Sequence, residues 1–161
     1  MSTQDNLKAA FAGESQANRK YLAFAQKADA EGNHGAAKLF RAAAEAETIH
    51  ALSHFKVLQG VKSTAENLQA AIEGETYEYT EMYPGFIAEA VAADDKLAKR
   101  TFDMANEAEK SHAALYRKAL AALEQDNEYY VCSVCGYIHE GSAPDKCPVC
   151  GAPADKFKNI G

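Results

Sequence analysis

The chain has 161 residues, 47% of them hydrophobic and 25% charged, with a net charge of −6 and four cysteines. That length suits one domain of ordinary size plus a small annex, and an acidic chain without clustered Lys and Arg is not built to hold nucleic acid. No long uncharged apolar run is present, and MSTQDNLKAAF lacks a charged segment leading into an apolar one, so a cytoplasmic protein without membrane contact is expected.

Residues 3–31, 34–59, 64–92 and 95–124 are rich in Ala, Glu, Lys, Gln and Leu, all good helix formers. Their apolar residues recur at helical spacing, as in Leu39, Phe40, Ala43 and Ala46. Breaks fall at Glu31-Gly-Asn-His34, at Gly60-Val-Lys-Ser63 and near Asp94-Asp95, and Ser63 with Glu66 marks a helix start. Pro84 interrupts the third span and predicts a kink or local irregularity there. Four helices of about 25 residues, each about 37 Å long, make a four-helix bundle. At Asp126-Asn127-Glu128 the composition turns to short runs of Tyr, Val, Ile, Gly, Pro and Cys. Residues 1–126 are therefore expected to form the helical domain and 127–161 a second, metal-organised one, because so short a segment needs a staple to fold.

The helical part repeats itself. Gly13-Glu14-Ser15 matches Gly74-Glu75-Thr76, and Glu45-Ala-Glu47-x-x-His50 matches Glu107-Ala-Glu109-x-x-His112. The lone glutamate precedes the paired one by 33 residues in the first half and by 34 in the second. Residues three apart share a helix face, so Glu47 with His50, and Glu109 with His112, can reach one metal cluster. A Glu from each of two helices plus Glu-x-x-His from each of the other two is the ligand pattern of ferritin-like di-iron proteins. A single Glu-x-x-His in an Ala-rich helix is weak evidence, since glutamate usually sits solvated on a helix surface. Two copies at matched distances reverse that reading. Glu78 is an extra carboxylate, its first-half counterpart being Ala17. Tyr21 and Tyr83 lie about two turns beyond Glu14 and Glu75, where core packing and proton supply to the metals both fit; His34 and His54 are expected on the surface.

The tail carries Cys132-Ser-Val-Cys135 and Cys147-Pro-Val-Cys150. Two Cys-x-x-Cys knuckles make a tetrahedral four-sulfur site for zinc or a single iron, and spacing alone does not decide between them. Gly136 and Gly151, following each knuckle, let backbone N–H groups turn toward the sulfurs, which favours the extra negative charge of reduced iron. An electron inlet beside a dinuclear site also favours iron.

The chain resembles the rubrerythrins over nearly its whole length. The resemblance rests on Phe11-Ala-Gly-Glu-Ser-Gln-Ala17, Glu47-x-x-His50, Gly74-Glu75-x-x-Glu78-Tyr-Thr-Glu-Met-Tyr-Pro84, Glu109-x-x-His112, and the rubredoxin-like Cys132-x-x-Cys135-Gly-Tyr with Cys147-Pro-x-Cys150-Gly. It implies a mainly α fold, a ferritin-like four-helix bundle followed by a small rubredoxin-like domain with a four-cysteine metal site. It implies a peroxidase that reduces hydrogen peroxide to water at two non-haem irons, a pair able to carry an oxo bridge, in protection against oxidative stress. Electrons would come from NAD(P)H through a separate reductase and usually a rubredoxin, then through the cysteine-ligated iron. Glu47 and Glu109 would bridge the irons, Glu14 would be terminal on one, and Glu75 with His112 on the other. Glu78 would bind the oxidised pair and His50 the reduced one, with Tyr21 and Tyr83 hydrogen-bonded to ligand carboxylates.

In ferritin-like bundles the second and third helices run parallel, so their link must travel the bundle. Gly60-Val-Lys-Ser63 reaches only about 14 Å against helices of about 37 Å. Either the bundle runs simply up and down, or two chains exchange their helical hairpins, and an exchanged homodimer is the expectation. The alternative functions are a ferroxidase or iron-handling protein, using the same ligands without an electron inlet, and a scaffold with structural zinc in its tail.

Overall fold

The computed structural model of the protein describes residues 2–161, which fall into two compact units, one ending at Lys62 and the other spanning Ser63–Gly161. The first is a helical hairpin. Helix α1, Thr3–Ala30, begins in a capping box: the Asp5 N–H donates to the Ser2 hydroxyl at 3.2 Å and the Ser2 N–H to the Asp5 carboxylate at 2.9 Å. It ends at Gly32, whose φ of +78° is the left-handed conformation that closes helices. Helix α2, His34–Val57, then returns along α1. Ala25, Ala28, Ala37, Ala44 and Ala51 are the buried residues of the pair. Asn18 staples it, its amide donating to the Ala44 carbonyl at 2.7 Å and the Thr48 hydroxyl at 2.8 Å.

The second unit repeats that plan. Helix α3, Thr64–Tyr77, starts in the Ser63–Glu66 capping box expected from the sequence. A π-helical turn, Glu78–Met82, follows, then α4, Tyr83–Ala92, with Pro84 in its first turn. The irregularity predicted at Pro84 is thus an extra residue wound into the preceding turn, which accommodates the N–H that proline lacks. Asp94, at φ +51°, closes α4 where Gly32 closes α1, and Asp95 caps α5, Lys96–Ala121, by accepting from the Ala98 N–H. An aromatic trio recurs as well. Tyr21, Phe24 and Phe40 in the first unit and Tyr83, Phe86 and Phe102 in the second each have their two phenylalanine centroids 5.5 Å apart.

The tail is a three-stranded antiparallel sheet, ordered β2–β1–β3: β1 Tyr129–Cys132, β2 Ile138–Glu140 and β3 Phe157–Asn159. Tyr130 pairs with His139 on one side and Asn159 on the other. Its core is minimal: Cys132, Cys147 and Ala152 are buried, with Tyr137, Val149 and Phe157 packed around them. The tail is joined to α5 of its own chain. Lys118 donates to the Glu140 carboxylate at 2.6 Å and Ser111 to the Ile138 carbonyl at 3.2 Å. Among the described residues no helix is long and apolar enough to cross a membrane.

Candidate metal centres

Three clusters of metal-ligand side chains emerge. Glu14, Glu47 and His50 converge in the first unit, Glu75, Glu109 and His112 in the second, and the four cysteines in the tail, each set with its ligand atoms within 4.8 Å of one another. Glu78 belongs to no such group; it opens the π turn, one helical turn beyond Glu75.

The second-unit cluster is the more enclosed. Glu109 and His112 are each 15% exposed and Glu75 19%, whereas His50 is 56% exposed. His112 Nδ1 lies 2.6 Å from Glu109 and 3.7 Å from Glu75, while its Nε2 lies 2.9 Å from the Gly136 carbonyl. A carbonyl only accepts, so Nε2 carries the proton and donates it there. In neutral imidazole that leaves a bare Nδ1 facing two carboxylates. Such a set of lone pairs is reconciled only by a proton or a metal cation. A metal-bound histidine held by a backbone carbonyl through its other nitrogen is the usual supporting arrangement.

The carboxylates report the same strain. Burial, then the hydrogen bond and charge of Glu109, push the Glu75 carboxyl up to about 7. Burial and the Glu75 charge raise Glu78 as well. A bound cation would relieve both. In metal-free protein, folded Glu75 keeps a proton that the unfolded chain releases from pH 4.5 upward. The stability that Glu75 contributes is therefore expected to be fully present below pH 4.5, to fall as pH rises toward about 7, and then to level. Thermal unfolding of chelator-treated protein between pH 4 and 8 measures this. Glu109→Gln should flatten the fall without abolishing it, because burial is the larger cause. An unaltered slope in that variant would exclude the carboxylate pairing.

Two phenols stand near this cluster. Tyr83 is held protonated by burial and by the charges of Glu109, Glu78 and Glu75. Tyr116, which the sequence reading passed over, is raised by burial and the charges of Glu75 and Glu109. It stands four residues past His112, on the same face of α5, so helical spacing did contain the signal. Tyr21 is half-buried against Phe24 and Phe40. Neither the Tyr21 nor the Tyr83 hydroxyl makes a hydrogen bond among the described residues. His34 is exposed as expected, whereas His54 is half-buried.

In the tail, Cys132 and Cys150 sulfurs are 3.7 Å apart and Cys135 and Cys147 sulfurs 3.6 Å. A tetrahedral site with metal–sulfur bonds of ~2.3 Å places its sulfurs ~3.8 Å apart. The four free cysteines therefore fit one metal ion rather than disulfides. Burial raises the Cys135 and Cys150 thiols. Burial would raise Cys147 too, but N–H groups of Cys150 and Val149 outweigh it and lower that thiol. Backbone donors thus point at the sulfurs, as a thiolate ligand requires.

Comparison with known proteins agrees with this geometry. Residues 5–120 match the family model for rubrerythrin and residues 130–158 that for the rubrerythrin rubredoxin-like domain. Rubrerythrin-2 of Clostridium acetobutylicum is 35% identical, covering 97% of this chain and 95% of its own. Nigerythrin of Nitratidesulfovibrio vulgaris is 37% identical over 97% of this chain and 85% of its own. The solved structure of fully reduced, all-ferrous nigerythrin has a TM-score of 0.61 at 36% identity, covering 99% of this chain and 87% of that one. The fold class is the expected one, mainly α and ferritin-like with a rubredoxin-like domain, and the donor sets for a di-iron site and a four-cysteine site are both present.

Proposed function

The chain belongs to the rubrerythrin family, and from that membership we propose that it is a cytoplasmic peroxidase that protects against oxidative stress by reducing hydrogen peroxide to water. The reaction is H2O2 + 2H+ + 2e− → 2H2O. Iron held by the carboxylate and imidazole side chains would supply the two electrons that O–O cleavage needs, and iron held by Cys132, Cys135, Cys147 and Cys150 would serve as a one-electron relay. The observation that carries this reading is the His112–Gly136 hydrogen bond, which ties an imidazole of the carboxylate cluster to the backbone of a cysteine knuckle.

In this reading residues 1–126 form the di-iron domain and 127–161 the relay. Glu47 and Glu109 would bridge, Glu14 would close one end of the pair, and Glu75 with His112 the other. Glu78 and His50 would alternate as the seventh ligand. The π turn supports that role for Glu78, since such turns recur at functional sites and leave the helix locally adaptable. Tyr21 and Tyr83 would hold ligand carboxylates, with Tyr83 and Tyr116 as protonated phenols near the reacting oxygens. Electrons would derive from NAD(P)H through a reductase and a rubredoxin-type carrier.

The two halves of the ligand set would meet by exchange of hairpins in a homodimer. Six residues separate Val57 from Thr64, a reach of roughly 20–25 Å, well short of a 24-residue helix at about 36 Å. Leu39, Ile49, Leu52 and Val57 of α2 are all more than half exposed, an apolar load that a second chain would cover.

The test is to reduce iron-loaded protein anaerobically, add hydrogen peroxide and follow the visible absorption of the ferric four-cysteine site. Rapid return of colour is expected. Return with oxygen but not with peroxide would replace this reading by the ferroxidase or iron-handling one, and a tail that stays colourless under a chemical oxidant would mean structural zinc.

A further inference from the structure

One polar atom of the second unit has nothing to bond to. The Asn106 Oδ1 is buried and accepts no hydrogen bond, the sole such side-chain oxygen or nitrogen among the described residues. An unpaired buried carbonyl is destabilising, so such a group calls for a partner that the folded chain does not itself supply. Asn106 lies on α5 one turn before Glu109 and one turn after Phe102, and residues three and four apart share a helix face. It therefore stands between the carboxylate cluster and the aromatic trio of the second unit, where Phe102 packs against Tyr83 with ring centroids 6.2 Å apart.

The internal repeat shows that packing does not require a carboxamide here. The matching residue of the first unit, three before Glu47, is Ala44, which is 2% exposed. One hairpin thus closes over an alanine at this place, while the other carries a polar group. Its neighbours on the same face of α5 offer no donor. Phe102 has none, and a carboxylate such as Glu109 only accepts.

We propose that Asn106 is the residue by which the site prefers peroxide to dioxygen, its Oδ1 accepting a hydrogen bond from an O–H of the hydrogen peroxide that reaches the Glu75, Glu109 and His112 cluster. Dioxygen has no O–H to give, so its entry leaves the carbonyl unpaired. A site built to bond a substrate hydroxyl discriminates against a ligand that lacks it. The contact is a hydrogen bond alone: no covalent bond to Asn106 forms, and no electron passes through it. The inference rests on the peroxidase reading.

Its test uses the full iron-loaded chain, reduced anaerobically and mixed by stopped flow with dilute hydrogen peroxide or with dioxygen. The return of the ferric colour of the tail gives a second-order rate constant for each oxidant. In Asn106→Leu the constant for peroxide should fall about fivefold, the effect of losing one neutral hydrogen bond, and that for dioxygen should change by less than about twofold. Asn106→Asp keeps the acceptor and should keep the wild-type ratio of the two constants. If Asn106→Leu fails to load iron, Asn106→Ala, the residue found at the matching place of the first unit, carries the same expectation. Thermal unfolding of metal-free protein supplies a readout apart from turnover. There Asn106→Leu should melt at or above wild type, since no protein group loses a partner. A lower melting temperature, or equal slowing with both oxidants, would overturn the proposal and leave the peroxidase reading intact. Wild-type protein that never reacts with peroxide would overturn both.

Discussion

Chains carrying Glu47→Ala and Glu109→Ala, each inactive alone, are expected to recover about one quarter of wild-type peroxide turnover when co-expressed. Each variant lacks a carboxylate proposed to bridge, so its own dimers have no competent site. If hairpins are exchanged, a mixed dimer joins both lesions in one site and leaves the other wholly intact. Random pairing makes half the dimers mixed, each with one good site of two, hence the quarter. Two different affinity tags would isolate the mixed dimer, in which turnover should rise to about half of wild type. A mixed dimer verified by mass and devoid of activity would show instead that each site is drawn from a single chain. The separation of the donor set into one cluster per compact unit makes this complementation possible in principle.

Cys147→Ser should abolish the visible colour of the tail and cut donor-driven turnover by at least about a hundredfold. Cys147 is 2% exposed, and only Cys132 and Ala152 share the buried core of the tail with it. Removing this sulfur therefore removes a ligand and a large part of the packing together. A domain this small has little else to fold on. The carboxylate cluster keeps Glu75, Glu109 and their neighbours on α3 and α5. Protein reduced chemically should still consume one equivalent of peroxide per iron pair in a single turnover, measured by rapid-quench assay of residual peroxide. Undiminished steady-state turnover in the variant would eliminate the tail as the route of electrons.

Much of this was legible because helices and metal sites leave short-range periodic marks. The Glu-x-x-His pairs, the paired knuckles and the Ser63–Glu66 cap all involve residues within four positions of one another. The repeat was legible only in part. The trio Tyr21, Phe24 and Phe40 and its copy Tyr83, Phe86 and Phe102 share spacings of three and sixteen residues, but aromatic residues at helical spacing read as ordinary core until their rings are seen to meet. Pro84 announced an irregularity without saying that it would be a π turn beginning at Glu78. Helix ends came out short of the expected 59 and 124, at Val57 and Ala121, since terminal turns fray beyond what composition resolves. The His112–Gly136 bond had no mark at all. Its partners are 24 residues apart, and the acceptor is a main-chain carbonyl whose direction is set by the knuckle rather than by any side chain.

That bond also has a thermodynamic meaning. An imidazole clasped between a carboxylate pair and the backbone of a cysteine knuckle belongs to both centres, so ordering either one spares the other part of the cost of orienting it. With the ligand roles proposed above, metal bound in the tail would tighten metal held by Glu75, Glu109 and His112, and by reciprocity the second would tighten the first by the same factor. Wild-type protein would then fill with iron more cooperatively than two independent centres would, with half-loaded molecules fewer than independent filling predicts.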